Sequence, residues 1–332
     1  MSGTPGATIL GGIAGIELTR AERDFFRAAD PWGFILFGRN VADPEQLRRL
    51  TGDLREAVGR DAVITIDQEG GRVQRLRAPH WTEWPAPLSQ AQAGPRAMWL
   101  RHALIGAELR AVGIDSDCAP TLDVARDDTH PFLRDRCLGT DPAQVALLGR
   151  AAADGLLAAG VLPVVKHMPG HGLARADSHH DLPVVDADQA MLEAIDFAPF
   201  RALADLPMGM TAHIRYTALD DAPATASPRM IGMIRDRIGF DGLLMTDDIG
   251  MNALSGTEAE RAAAALRAGC DLVLHCNGDL AAMAPVVAAA GTLTPAAMRR
   301  ADQALAQRPA PQALDVAALM EEYRRCVAPQ PA

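Results

Sequence analysis

The segment Val161-Leu162-Pro163-Val164-Val165-Lys166-His167-Met168-Pro169-Gly170-His171-Gly172 passes within a few residues from an unbroken apolar run to lysine, histidine and glycine. Five consecutive apolar positions describe a strand buried on both faces. Polar residues and glycines after it describe the C-terminal end of that strand opening into a mobile loop, where parallel α/β folds gather their functional groups. With Asp177-Ser178-His179-His180-Asp181 downstream, the stretch Lys166 to Pro183 holds four histidines and two aspartates. Chemistry explains that mixture better than packing does; the plain alternative is a His-rich surface loop.

The pattern recurs along the chain. Further apolar, often β-branched runs lie at Ala7–Leu10, Gly33–Phe37, Ala62–Ile66, Gly113–Ala119, Met208–Ala212, Gly242–Met245 and Asp271–His275, which makes eight in all. Helix-like segments separate most of them, among them Pro44–Val58 behind the cap candidate Asp43, Pro142–Ala159 behind Asp141, and Thr257–Ala268. Continuously apolar strands alternating with amphipathic helices predict a parallel sheet covered on its outer face. Eight such units predict an α/β chain folded as a single (β/α)8 TIM-type barrel, with a doubly wound open sheet as the structural rival. No Pro/Ser-rich linker divides the chain. Residues 1–307 are therefore expected to form the catalytic barrel, and 308–332 a helix packed outside it with a frayed tail.

Nearly every run ends in ionisable or hydrogen-bonding residues: Gly38-Arg39-Asn40, Asp67-Gln68-Glu69, Leu122-Asp123, Lys166-His167, His213, Thr246-Asp247-Asp248 and Cys276-Asn277. In a barrel those termini ring one mouth, so a single polar pocket is expected there.

With 332 residues, 48% of them hydrophobic and 22% charged, the chain has the composition of an ordinary globular protein. A net charge of −10 argues against a nucleic-acid or anionic-membrane partner, which it would repel. The five cysteines form no CxxC pair and suggest neither a disulfide framework nor a thiolate zinc site. No signal peptide or membrane-length apolar stretch is evident, and the cytoplasm is the expected location.

Within the expected pocket, Asp247 is nearer its strand than Asp248 and is placed in the cavity, with Asp248 as cap or support. Asp67 and Arg75 flank Gly70-Gly71 and are assigned to ligand; Glu69 and Arg72 are expected in a buried network holding the mouth. Arg134 and Arg136 could grip an acetamido carbonyl or ring hydroxyls, or be ordinary surface arginines. Lys166 and His167 would carry donors into the pocket. Asp177 and His179 flank Ser178, and an aspartate bonded to an imidazole is what a general acid/base needs. The rival is a metal site built from His167, His171, Asp177, His179 and His180. It lacks an HExxH spacing, and Lys166 would oppose a cation.

Together, Gly33–Asn40, Ile66–Arg75, Lys166–Gly172, Asp177-Ser178-His179, Thr211–Ile214 and Thr246-Asp247-Asp248 closely resemble the bacterial β-N-acetylhexosaminidases of glycoside hydrolase family 3. Six motifs in register across most of the chain make the likeness specific. Met168 stands where that family usually has an aromatic residue, and Ile249-Gly250-Met251 replaces the more usual Leu-Ser-Met. The resemblance implies Asp247 as nucleophile, His179 as proton donor and acceptor and Asp177 as its partner. It implies Asp67, Arg75, Arg136, Lys166 and His167 as sugar-binding positions, Arg136 in a less typical context.

The resemblance further implies a retaining, exo-acting enzyme of cell-wall recycling that releases N-acetylglucosamine from muropeptide fragments. No metal and no organic cofactor is expected, and the state is expected to be a monomer or weak homodimer. Alternatives are a β-glucosidase or an N-acetylglucosamine phosphorylase of the same superfamily, a metal-dependent hydrolase using His167, His171 and His179, and a sugar-binding protein without turnover.

Overall fold

The computed structural model describes residues 3–11, 13–175, 181–308, 310 and 313–328. Eight strands form its centre: β1 Gly6–Leu10, β2 Pro31–Leu36, β3 Val63–Ile66, β4 Ser116–Asp117, β5 Leu162–Met168, β6 Met208–Thr211, β7 Leu243–Asp248 and β8 Leu272–His275. They pair in parallel in chain order. β1 pairs with β2 on one side and with β8 on the other, Ile9 opposite Gly33 and opposite Leu274. The sheet therefore closes into a (β/α)8 barrel, and the open-sheet alternative is excluded.

Alternation along the strands separates two apolar layers. Ile9, Ile35, Val164, Met210, Met245 and Leu274 belong to one cluster. Their chain neighbours Leu10, Phe34 and Leu36 pack with Leu47, Leu50 and Leu54 of the helix Pro44–Val58. Val165 and Leu244 pack with Leu148 and Ala152 of the helix Pro142–Ala158. Both faces of each strand are thus buried, which is why the runs carry no polar alternation.

The helices start where their caps dictate. Asp43 accepts from the amides of Glu45 and Gln46, with Pro44 at the first helical position. Thr257 and Glu260 form a reciprocal capping box, and Gly269, at φ 113°, ends the helix Glu258–Ala268. A last helix, Val316–Val327, packs on the helix Gly94–Arg110. Its Tyr323 is buried edge-on to Trp84, and its Glu322 pairs with Arg96 at 2.8 Å.

Two strands differ from the expected runs. Only Ser116–Asp117 of the fourth run is regular strand. The fifth strand continues three residues past its apolar run, to Met168. Its ladder persists because backbone pairing is indifferent to side-chain polarity: Leu122 N donates to Lys166 O at 2.7 Å and Ala212 N to Met168 O at 2.7 Å.

Gly155 lies where the helix Pro142–Ala158 crosses Gly94–Arg110, and an added Cβ would collide with the Trp99 carbonyl and the Ala103 amide. Gly155→Ala is expected to cost about 1–3 kcal/mol of stability, measured as a lower melting temperature; an unchanged melting temperature would contradict this crossing.

Candidate active site

The C-terminal ends of the strands surround a cavity of about 270 Å³. Ile35, Met210 and Leu274 give it an apolar wall from the barrel lumen, and Phe37, Phe132 and Met251 add further apolar surface. Asp67, Arg75, Arg136, Lys166, His167, His171 and Asp247 contribute the polar lining.

One side is a buried charge cluster. Lys166 Nζ lies 3.0 Å from Asp67 Oδ1 and 2.6 Å from Glu69 Oε1. Arg136 grips Glu69 with two parallel bonds, Nε to Oε2 at 2.9 Å and Nη2 to Oε1 at 2.8 Å. Arg75 Nη2 donates to Asp67 Oδ2 at 3.1 Å. Burial alone would raise both carboxyls, but the facing cations overcome it. Arg136 and Lys166 hold Glu69 far below the usual carboxylate range, and Lys166 and Arg75 hold Asp67 below it. Burial would likewise favour neutral Lys166, yet Asp67 and Glu69 raise its pKa, so the ammonium stays charged.

The loop carrying Asp67 and Glu69 is positioned from behind. Gln68 accepts from the amides of Arg75 and Leu76 and donates its own amide to Asp117 Oδ1 at 2.9 Å. Arg101, fully buried, donates to the carbonyls of Glu69 at 2.7 Å and Pro85 at 2.6 Å and to Gln90, which in turn reaches Tyr323. Gly70 has φ 100°, and any Cβ there would strike the Arg101 guanidinium. Glycine is required at that position by both conformation and space.

The opposite side is built from imidazoles and aspartates. His167 Nδ1 is 2.7 Å from Asp123 Oδ2, and Arg136 Nη2 approaches His167 Nε2 at 3.4 Å. An arginine can only donate, so Nε2 is the acceptor and the Nδ1–H donates to Asp123. His213 donates from Nε2 to the Asp248 carbonyl at 2.9 Å; burial keeps its pKa low. Asp248 also lines the cavity, and its Oδ1 accepts from the amides of Gly250 at 3.0 Å and Cys276 at 3.1 Å. Burial pushes the Asp247 carboxyl up; His213, His167 and the Asp248 amide outweigh this and hold it below the usual range. Asp247 is thus an ionised carboxylate in the cavity wall.

Of the residues singled out from sequence, Asp67, Arg75, Arg136, Lys166, His167 and Asp247 converge on this cavity. Lys166 and His167 do so from within β5, joined by a cis peptide bond. Asp177 and His179 lie outside the described residues, as does His180. Arg72 departs from expectation: it is exposed at the rim, donating from Nε to the Phe132 carbonyl at 3.1 Å rather than joining Glu69 in a buried network. The start of the loop after β5 is also less free than its glycines suggest. Gly170 accepts from the Tyr216 hydroxyl, Gly172 from Thr129 at 2.7 Å, and a Cβ at either glycine would strike Asp196 or Val124. Among the described residues, no group of three or more His, Cys, Asp or Glu side chains is placed to hold a metal ion.

Asp123 and Arg101 were not assigned roles from sequence. The position of Asp123 at the end of the fourth run was a signal for it. Arg101, inside an alanine- and leucine-rich helical stretch, gave none.

A family model, the glycosyl hydrolase family 3 N terminal domain, matches residues 17–307. A β-hexosaminidase of Bordetella avium (strain 197N) is 39% identical over 285 residues, 82% of this chain and 81% of its own length. NagZ from Neisseria gonorrhoeae, solved in complex with N-trifluoroacetyl-D-glucosamine, has a TM-score of 0.84 at 30% identity over 97% of this chain and 96% of its own. The same enzyme has been solved in complex with a zinc ion. A glycoside hydrolase family 3 β-N-acetylglucosaminidase from Paenibacillus sp. str. FPU-7 has a TM-score of 0.80 at 32% identity over 98% of this chain, which spans 63% of that one.

Asp117, beneath the charge cluster, is fully buried with Oδ2 unpartnered, and burial raises its pKa to about 7. An unfolded aspartate titrates near 3.9, so its stabilising contribution is complete below that pH and is lost as pH rises through about 7. Asp117→Asn retains an acceptor for Gln68 without the titration. Its melting temperature relative to wild type is expected to rise between pH 5 and pH 8, and a pH-independent difference would contradict the raised pKa.

Proposed function

The chain belongs to glycoside hydrolase family 3 and is a β-N-acetylhexosaminidase, and from that premise we propose that it removes single terminal N-acetylglucosamine units with retention. Its proposed substrates are peptidoglycan fragments bearing N-acetylglucosamine on 1,6-anhydro-N-acetylmuramic acid, with or without peptide, in the cytoplasm. No helix among the described residues is long and apolar enough to cross a membrane. The proposed catalytic unit is the barrel, residues 1–307, acting as a monomer or weak homodimer.

The observation that carries the proposal is an ionised Asp247 sharing a small cavity with the Asp67, Lys166 and Arg75 cluster. A volume of about 270 Å³ is at the small end of ligand sites, suited to one pyranose rather than an oligosaccharide. Asp67 accepts sugar hydroxyls while Lys166, Arg75 and Arg136 donate to ring substituents. His167, its Nδ1–H donating to Asp123 and its Nε2 accepting from Arg136, steadies that guanidinium at the cavity wall.

In the first step an Asp247 oxygen bonds to the anomeric carbon as the glycosidic C–O bond breaks, and His179 gives its proton to the departing oxygen. In the second, water bonds to that carbon, the Asp247 ester breaks, and the water's proton returns to His179. Asp177 orients the imidazole and supports its cationic form. Two inversions give net retention. With an imidazole as the acid, the distance rule for paired carboxylates does not apply.

Asp247→Gly is expected to lose turnover of an aryl N-acetyl-β-glucosaminide by several orders of magnitude, and azide is expected to restore rate with formation of the inverted azide product. Wild-type activity in that variant would eliminate Asp247 as nucleophile. His179→Ala should lose far more activity on substrates with poor leaving groups than on 4-nitrophenyl glycosides; equal losses would assign the acid elsewhere. The zinc complex of the Neisseria enzyme motivates a further measurement. Dialysis against a chelator is expected to leave turnover unchanged, and loss restored by zinc would instead favour a metal-dependent reaction.

A further inference from the structure

The proposed reaction leaves His171 without a role. Its backbone is fixed: the amide donates to Asp123 Oδ1 at 2.6 Å, and the carbonyl accepts from Ala174 N at 3.0 Å. Its ring is only 2% exposed, stands edge-on to His167 and Phe132 with centroids 5.6 and 5.7 Å apart, and lines the cavity. Among the described residues, neither ring nitrogen has a hydrogen-bond partner. Buried polar groups are paired in nearly all cases, so two orphaned nitrogens on one ring at a cavity wall point to a partner that enters the cavity.

The chemistry of that partner follows from the protonation state. Burial, and then the neighbouring His167, push the His171 pKa down to about 4, so near neutral pH the ring is uncharged, with one N–H donor and one lone-pair acceptor. A carboxylate or phosphate only accepts and an ammonium only donates, whereas a hydroxyl does both. Phe132 and the lumen residues offer the ring no polar alternative.

We infer that His171 is a substrate-binding residue whose ring nitrogens are paired by hydroxyl groups of the sugar occupying the cavity. This rests on the carbohydrate assignment made above. It adds a third imidazole to the site beside His167 and His179, acting as a fixed hydrogen-bonding surface rather than in proton transfer.

The test is a substrate-by-variant cycle. His171→Phe keeps the ring and its edge contacts but removes both nitrogens; His171→Gln keeps a donor and an acceptor. Both are assayed on 4-nitrophenyl N-acetyl-β-glucosaminide and its 3-, 4- and 6-deoxy analogues, with melting temperatures recorded. His171→Phe is expected to lower kcat/KM at least tenfold on the parent at an unchanged melting temperature, with partial recovery in His171→Gln. At least one deoxy analogue is expected to show a smaller difference between wild type and His171→Phe than the parent does, since the missing hydroxyl and one of the missing nitrogens remove the same bond. Wild-type kcat/KM in His171→Phe, or an equal loss on the parent and on every analogue, would overturn the inference. A wild-type enzyme that binds and cleaves none of these glycosides would overturn the carbohydrate assignment itself, and this inference with it.

Discussion

Charges that have lost their water constrain this molecule more than any other feature. Glu69 and Lys166 are each 2% exposed and Arg136 is 7% exposed, and desolvating such groups costs several kcal/mol per ion unless each meets an opposite charge with good geometry. The bidentate Arg136–Glu69 pair and the Lys166 ammonium between Glu69 and Asp67 meet that condition only if β3, β5 and the segment around Arg136 hold one register. Arg101 fixes the carbonyl of Glu69 from the far side, and Gly70 leaves room for it to do so. A ligand entering this cavity meets donors and acceptors already oriented, so little of its binding energy is spent arranging them.

The aspartates at the same mouth acquire different functions through the partners already committed to them. Asp67 faces two cations. Asp123 is taken up by the His167 ring and by the amides of His167 and His171. Asp248 binds two backbone amides on one oxygen. Among the described residues, Asp247 accepts only the Asp248 amide, on Oδ1. A carboxylate with two oxygens has about four lone-pair sites, so Asp247 keeps the most uncommitted capacity while facing the cavity. That is the electronic condition for a nucleophile, and neighbouring residues of the same type do not share it.

How much of this was legible in the sequence depended on how local the cause was. The strand runs and the caps at Asp43 and Asp141 act within a few residues, and the helix Pro44–Val58 has the bounds its sequence gives it. Glu69 and Arg136 lie 67 positions apart, and nothing in either neighbourhood announces that they share two hydrogen bonds. The arginine fork that a sequence offers to a sugar is here largely engaged by a protein carboxylate. Arg72 fails in the opposite direction: its place beside Glu69 suggested shared burial, but the tight turn at Gly70 and Gly71 sends it to the rim. Met168 ends a strand that hydrophobicity alone would have closed at Val165, because the charged residues beyond it face a pocket that pairs them.

The glycines after β5 illustrate how composition misleads about motion. Gly170 and Gly172 invite description as hinges, yet each is small because another chain segment passes too close for a side chain, and each carbonyl is bonded to a side chain from elsewhere. Downstream, Val184–Val185 pairs with Arg215–Tyr216, so both described ends of the segment that continues into Asp177 and His179 are held by the body of the barrel. Asp123 joins the two halves of the site. One carboxylate orients the His167 ring in the cavity wall and holds the His171 amide at the start of the loop after β5. Displacing Asp123 would disturb the His167 ring and the start of the loop after β5 together, because both depend on hydrogen bonds to the same two oxygens.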